Sequence, residues 1–279
     1  MTTCRDALRA ASGMLAQAGV PDPAVDAAFL LSHVTGTPHL LLRAEGWREL
    51  TQSQLTDYQA LIDRRCQREP LQYILGETEF MGLTFHVEPG VLIPRADTEI
   101  LVEKALAWMK PGARVLDIGT GSGAIAVSLA KLGRPAQVTA VDVSDRALEI
   151  ARRNAERNGA TVEFVKSDCF SALKGRKYDM IVSNPPYISE DEMRGLMPEV
   201  TREPELALFG GADGLDFYRR ISREAPEYLN EGGCLLFEIG WLQKDAVSAL
   251  VKAHIGEPFA LRDYGQNWRV VGAKKEGAC

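Results

Sequence analysis

Between Arg114 and Ala130 the chain passes from a strand-like segment through three glycines into a helix-like one, and no other stretch restricts its fold as strongly. Arg114 to Ile118 is a short apolar run that reads as a strand, and Ala124 to Ala130 reads as the start of a helix. Between them lies Gly119-Thr120-Gly121-Ser122-Gly123. Glycines there allow a tight turn and a close approach of backbone to ligand. A strand, a glycine loop and a helix in that order form a context that binds nucleotide-like ligands. The spacing also fits a dinucleotide loop with Ala124 in the third place, so the glycines alone do not name the ligand.

The alternation continues downstream. Gln137 to Val141 reads as a strand ending at Asp142, and Ser144 caps a helix from about Asp145 to Asn158 that Gly159 ends. Val162 to Val165 is a third strand, closed by Asp168, and Tyr178 to Ser183 a fourth. Leu215 to Leu229 reads as helix, Cys234 to Ile239 as strand and Gln243 to His254 as helix. Phe259 to Arg262 and Trp268 to Val271 form a closing strand pair. Strands separated by helices imply an α/β fold with a mainly parallel, doubly wound sheet, and the close final pair implies an antiparallel edge.

The first two details here, together with the Asn184-Pro185-Pro186-Tyr187 loop described below, favour S-adenosylmethionine over a nicotinamide dinucleotide. Asp117 precedes the loop, where an acid suits a cationic sulfonium and ammonium and repels a pyrophosphate. No Gly-Lys-Ser/Thr ending follows, as a triphosphate-cradling loop requires. Asp142 lies roughly 20 residues past the glycines, in place to accept hydrogen bonds from both ribose hydroxyls. Each acid keeps a second reading: Asp117 as a brace for the loop, Asp142 as a helix cap, Asp168 as either an adenine contact or a turn cap.

The strand Tyr178 to Ser183 ends at Asn184-Pro185-Pro186-Tyr187. Two consecutive prolines cannot extend a sheet ladder, so a rigid loop stands at a strand's C-terminal end, where open α/β sheets place ligands. It offers an amide side chain, two carbonyls and an aromatic ring. That set suits a planar NH2 group, whose two hydrogens need two acceptors and whose face takes the ring. Such a loop has no evident use in hydride transfer.

These stretches together resemble the peptide-chain release factor glutamine methyltransferase family (HemK/PrmC type). The likeness runs through Ile93-Pro94-Arg95-Ala96-Asp97-Thr98-Glu99, the glycine loop, Ala140-Val141-Asp142, Ser167-Asp168-Cys169-Phe170 and Val182 to Ile188. Phe237-Glu238-Ile239-Gly240-Trp241 and Asp263-Tyr264-Gly265 extend it. Ala96 stands where the family usually has proline, which implies a looser helix entry. Cys169 stands where some members carry tryptophan beside the adenine, which removes that stacking contact. The resemblance implies a Rossmann-like methyltransferase domain that uses S-adenosyl-L-methionine and no metal. It also implies a substrate: the Gly-Gly-Gln glutamine of class 1 release factors. Cofactor positions are then Asp117, Gly119, Thr120, Gly121, Ser122, Gly123, Asp142, Asp168, Cys169 and Asn184.

A glutamine amide nitrogen is a poor nucleophile, because its lone pair is delocalised into the carbonyl. The main task is therefore orientation toward the methyl group, in line with the departing sulfur. The Asn184 oxygen and the Pro185 carbonyl would hold the two N–H groups and stabilise charge developing on nitrogen. Pro186 stiffens the loop and Tyr187 packs on the amide plane. No general base is required, since the attacking nitrogen is neutral. Arg95, Thr98, Glu99 and Glu238 stand either as site-lining residues or as capping and ion-pairing ones. Two other readings remain open: methylation of an exocyclic amine on a DNA or RNA base, and a nicotinamide-binding oxidoreductase or noncatalytic nucleotide module.

Composition weighs against nucleic acid and membrane as partners. The net charge is −6, whereas unaided nucleic-acid binding depends on basic surface. No apolar run approaches the ~20 residues of a membrane span. The first residues lack a signal-peptide core. Cys4, Cys66, Cys169, Cys234 and Cys279 are scattered without a Cys-x-x-Cys pair, which fits a reduced cytoplasmic setting and no zinc site.

At 279 residues the chain suits two domains. Residues 1–72 read as a small helical bundle that recognises the protein substrate, 73–90 as a β-hairpin linker around Met81-Gly82, and 91–279 as the methyltransferase domain. In the bundle, Leu8, Ala11, Leu15 and Ala18 form one stripe, and Val25, Phe29 and Leu30 a second behind the Asp22-Pro23 start. Thr37-Pro38 opens a short helix through Leu42, and Ser53 caps a longer one. Arg64, Arg65 and Arg68 read as a solvated face, with contact to an acidic or RNA partner as the alternative. The long loop Ser189 to Gly211 either shapes the substrate entrance or covers surface passively.

Overall fold

The structure, a computed structural model, describes residues 2–135 and 137–275, with every side chain among them except that of Arg43. Cys279 lies outside the described residues. The chain forms two units, one made of Met1–Gly76 with Met197–Arg202, the other of Glu77–Leu196 with Glu203–Cys279.

Among the described residues the smaller unit holds five α-helices: α1 (Cys4–Gln17), α2 (Pro23–Thr35), α3 (His39–Ala44), α4 (Gln52–Cys66) and α5 (Leu71–Leu75). Leu15, Leu30, Leu31, Leu42 and Ile62 are buried together, and the Tyr58 hydroxyl donates to the Ala27 carbonyl at 2.9 Å. Several expectations shift by a residue or two. Thr51, not Ser53, caps α4, because Gln54 three residues on completes a reciprocal capping box. Asp22 sits at the start of α2 but makes no side-chain cap bond; Pro23 at the first position sets the entry instead. Val25 is exposed, and α2 buries Asp26, Ala27, Leu30 and Leu31.

The arginines are the larger correction. Arg65 is 4% exposed and ion-paired with Asp26 at 2.7 Å and Glu199 at 2.9 Å. Arg68 makes a two-pronged bond to Glu199, at 2.6 Å on each oxygen, and Arg64 pairs with Glu69. Arg65 and Arg68 are drawn out of solvent by these pairs, whereas Arg64 stays on an exposed face as expected. Glu199 arrives from the 189–211 loop, whose residues 197–202 belong to this unit. Burial pushes the Glu199 carboxyl up, but the Arg68 and Arg65 guanidiniums with a backbone bond more than reverse it, to about 2.

The larger unit opens with an antiparallel hairpin, β1 (Glu77–Phe80) and β2 (Leu83–His86), which turns at Met81-Gly82 as expected. The remaining elements are α6 (Glu99–Trp108), β3 (Arg114–Ile118), α7 (Ala124–Leu132), β4 (Gln137–Asp142), α8 (Asp145–Asn158), β5 (Glu163–Lys166), β6 (Tyr178–Ser183), α9 (Glu190–Met193), α10 (Asp216–Glu224), β7 (Leu229–Glu238), α11 (Lys244–His254), β8 (Phe259–Arg262) and β9 (Trp268–Lys274). Seven strands form one sheet in the order β5-β4-β3-β6-β7-β9-β8. The first five are parallel, and β9 pairs antiparallel with β7 and β8. The expected doubly wound sheet with an antiparallel edge is therefore present.

The order reverses between β3 and β6, which places the ligand crevice of such a sheet at their C-terminal ends. The hairpin packs its Phe80 and Phe85 into the core of this unit. Asn154 and Asn158 of α8 hold its backbone at His86 and Thr84. The helix expected to reach Leu229 stops at Glu224, because Pro226 has no N–H to continue it; a 3-10 turn follows, and β7 starts at Leu229.

Candidate functional site

At the C-terminal ends of β3, β4 and β6 lies an open cleft. The glycine loop forms its floor. Gly119 and Thr120 donate their N–H groups to the Val141 carbonyl at 2.9 and 3.0 Å, which folds the loop back over β4. Gly123 has φ +83, and a Cβ there would stand 3.0 Å from the Ala151 methyl, so α7 and α8 close only over glycine.

Of the residues expected to hold a cofactor, Gly119, Gly121, Asp142, Asp168, Cys169 and Asn184 line this cleft. The half-buried Asp142 carboxylate accepts from Gly121 N–H and Ser144 N–H, both at 2.9 Å, one on each oxygen. Each oxygen keeps a second acceptor site for a ligand hydroxyl. The cap of α8 is Ser144 itself, whose hydroxyl accepts from Ala147 N–H. Asp168 is exposed at the rim and ion-paired with Arg220 at 2.6 Å. Cys169 adopts φ +48, and burial pushes its thiol up to about 11, so it contributes a neutral, apolar wall.

The other expected positions serve the loop itself. Asp117 is fully buried; its Oδ2 accepts from the Thr120 hydroxyl at 2.6 Å and braces the loop, while its Oδ1 has no hydrogen-bond partner among the described residues. Burial pushes its carboxyl up to about 7. Ser122 is buried and its carbonyl accepts from the Asn154 amide. Asp117, Thr120, Ser122 and Gly123 thus shape the floor from behind.

Asn184, Pro185 and Pro186 line the same cleft as Asp142 and the glycines. Ser183 ends β6 with its hydroxyl donating to the Ile118 carbonyl at 2.8 Å, which ties the loop to the end of β3. The Asn184 side-chain NH2 donates to the Thr98 hydroxyl at 3.3 Å. The Tyr187 carbonyl accepts from the Gln243 amide at 3.0 Å, and Gly240 N–H donates to the same side chain. Gly210 allows a close passage: a Cβ there would lie 2.7 Å from the Pro186 carbonyl. The Tyr187 ring packs toward the core at the end of the loop, and burial pushes its hydroxyl up to about 12.

Beside the loop stands Glu238, 2% exposed, its carboxyl pushed up to about 7 by burial and only partly held down by Thr98, Arg269 and Asn184. Arg269 is in turn bound to Asp97 and Asp263, each at 3.0 Å. Glu99 accepts from Met81 N–H at 2.6 Å, an anchor for the hairpin. Arg95 pairs with Glu203, whose buried carboxylate also accepts from Ile93 N–H at 3.0 Å. Ala96 begins a 3-10 turn that leads into α6, so the entry forms without proline. Sequence reasoning did not single out Gln243 or Glu203. Both act on backbone of a segment far away along the chain, and no local pattern marks them.

Residues 83–202 match the methyltransferase small domain family, and residues 6–76 match the PrmC N-terminal domain family. The release factor glutamine methyltransferase of Geobacter sulfurreducens is 45% identical over 274 residues, covering 98% of this chain and 96% of that protein. The enzyme of the same name from Escherichia coli K12 is 41% identical over 89% of this chain and 91% of its own length. Among solved structures, a methyltransferase from Pyrococcus furiosus superimposes with a TM-score of 0.57 at 23% identity, over 79% of this chain and 99% of that one, and shares the fold. Identity of that level, continuous through both units and through the cleft just described, decides the matter: the chain belongs to the release factor glutamine methyltransferase family.

Proposed function

We propose that this enzyme methylates the side-chain amide nitrogen of the glutamine in the Gly-Gly-Gln motif of class 1 peptide-chain release factors, with S-adenosyl-L-methionine as donor and S-adenosyl-L-homocysteine as product. The observation that carries this reading is one cleft lined by both the glycine loop with Asp142 and the Asn184-Pro185-Pro186 loop. The first half suits a ribose and an adenine between apolar walls; the second suits an NH2 group. The cofactor supplies an electrophilic methyl on a cationic sulfur. Asn184 and the Pro185 carbonyl hold the two N–H groups of the substrate amide and turn its lone pair toward that methyl. The nitrogen attacks neutral and sheds its proton after transfer, so no buried base is needed. The base-amine alternative loses support, because Arg64, Arg65 and Arg68 are engaged in ion pairs and the net charge is −6. Mass spectrometry of purified class 1 release factors, incubated with the enzyme and labelled donor, tests the reading. Label on any residue but that glutamine rules it out.

Asp142→Ala removes both oxygens that would accept the ribose hydroxyls. Affinity for S-adenosylhomocysteine is expected to fall by about 1.5–3 kcal/mol, the scale of hydrogen bonds to a charged group. Calorimetry reads this directly, and unchanged affinity would leave Asp142 as a clamp for Gly121 and Ser144 alone.

The helical unit is assigned to docking of the release factor. Among its exposed apolar side chains are Leu40 (71%), Leu41 (50%) and Trp47 (74%), close together in sequence on and just after α3. Aromatic anchors of this kind dominate binding energy at interfaces. Trp47→Ala should raise KM for the intact factor by about tenfold, the effect of losing one such anchor, and leave turnover of a short Gly-Gly-Gln peptide unchanged. Equal effects on both substrates would refute the docking role. A translation factor as substrate also places the enzyme in the cytoplasm; among the described residues no helix is long and apolar enough to cross a membrane.

A further inference from the structure

Asn184 has a requirement that its own loop does not meet. An amide side chain presents an acceptor on one side and a donor on the other, and the two are nearly isosteric. To hold a substrate NH2 it must turn Oδ1 toward the cleft; the flipped form presents its own NH2 and repels. Some other group has to select one orientation.

The elements behind the loop supply that group. Asn184 Nδ2 donates to Thr98 Oγ1 at 3.3 Å. A hydroxyl that accepts in this way has its own proton left to donate. Glu238 is adjacent: β7 pairs with β6 through Phe237 and Ser183, so Glu238 follows one and Asn184 the other. Its carboxyl is 2% exposed and lies close enough to Thr98 and Asn184 for both to pull its pKa down, so its negative field falls on the Thr98 hydroxyl and the Asn184 NH2. Its Oε2 has no partner among the described residues. Thr98 is also buried, at the junction of the 3-10 turn and α6. Burying an unsatisfied carboxylate oxygen is costly, and such a group persists when the surrounding structure gains a fixed geometry from it. Acceptors on this side draw the NH2 of Asn184 toward themselves and leave Oδ1 for the cleft.

We propose that Glu238, acting through Thr98, is a positioning residue that fixes the amide orientation of Asn184, so that Oδ1 rather than Nδ2 meets the substrate nitrogen. This rests on the amide-gripping role of Asn184 described above. It touches neither the reacting atoms nor the cofactor, so its signature is a loss in kcat without a loss in cofactor affinity.

The test uses full-length Thr98→Val, Thr98→Ser, Glu238→Gln and Asn184→Ala, with kcat and KM on intact release factor and the Kd for S-adenosylhomocysteine. Thr98→Val keeps the shape and removes the hydroxyl; kcat should fall by about 10- to 100-fold, part of the loss expected from a preorganised contact. KM and Kd should stay within about twofold, and Thr98→Ser should restore most of the activity. Glu238→Gln should reproduce the fall, and combining it with Thr98→Val should add little, as residues acting in one unit behave. If Glu238→Gln does not fold, the valine and serine pair decides alone. Wild-type kcat in Thr98→Val, or a parallel loss of cofactor affinity, overturns the inference. Those results leave the function standing so long as Asn184→Ala is impaired; full activity in Asn184→Ala would remove the reading on which the inference rests.

Discussion

Asn184→Ala is expected to lower kcat by about 10²–10³, or roughly 3–4 kcal/mol of transition-state stabilisation, the cost of deleting one preorganised electrostatic contact. The substitution removes the acceptor that holds a substrate N–H while positive charge grows on nitrogen. It should leave the cofactor floor intact, because Asp142, Gly119 and Gly121 take no hydrogen bond from Asn184, whose recorded side-chain partner is Thr98. The expected pattern is a collapse of turnover with near-normal binding of S-adenosylhomocysteine, read by mass spectrometry of the release factor and by calorimetry. Near-normal turnover would remove Asn184 from the reaction. A parallel loss of cofactor affinity would instead point to collapse of the loop between Ser183 and Tyr187.

Arg65→Met should be the most destabilising single change in the helical unit. The Arg65 guanidinium donates to Asp26 at 2.7 Å and to the Glu69 carbonyl at 3.1 Å, and pairs with Glu199 at 2.9 Å. Asp26 is nearly as buried, and burial already pushes its carboxyl up against the pull of Arg65. Removing the cation leaves that carboxylate enclosed without a counter-charge, a loss of about 3–5 kcal/mol for a broken buried pair. Two units need not unfold together, so a single midpoint would mislead. Amide exchange in α2 and α4 gives the local reading. Protection there should fall sharply, and Arg65→Met combined with Asp26→Leu should recover much of it, because the uncompensated charge is gone. Unchanged protection in the single variant would show the pair to be energetically idle.

Much of the larger unit is legible residue by residue. β3, α8, β6 and the hairpin turn lie where periodicity, caps and turn residues put them, with Ser144 opening α8 and Gly159 closing it. These features are encoded within one element, where period and capping act over a few residues. α5 and α9 escape the same reasoning because five and four residues are too few to show a period.

The chain's own order of residues thus determined the sheet, its antiparallel edge, the glycine loop and the rigid Asn184-Pro185-Pro186-Tyr187 loop, since each follows from what neighbouring residues allow the backbone to do. Which polar groups meet was decided only by tertiary structure. Arg65 and Asp26 are 39 positions apart, Asn184 and Thr98 86, Arg95 and Glu203 108, Arg68 and Glu199 131. A charged residue reads as surface until the fold encloses it beside a partner. The enclosure turned Arg65 from a solvated charge into a buried strut, and set Asp117, for which the sequence allowed either a ligand contact or a loop brace, against the Thr120 hydroxyl.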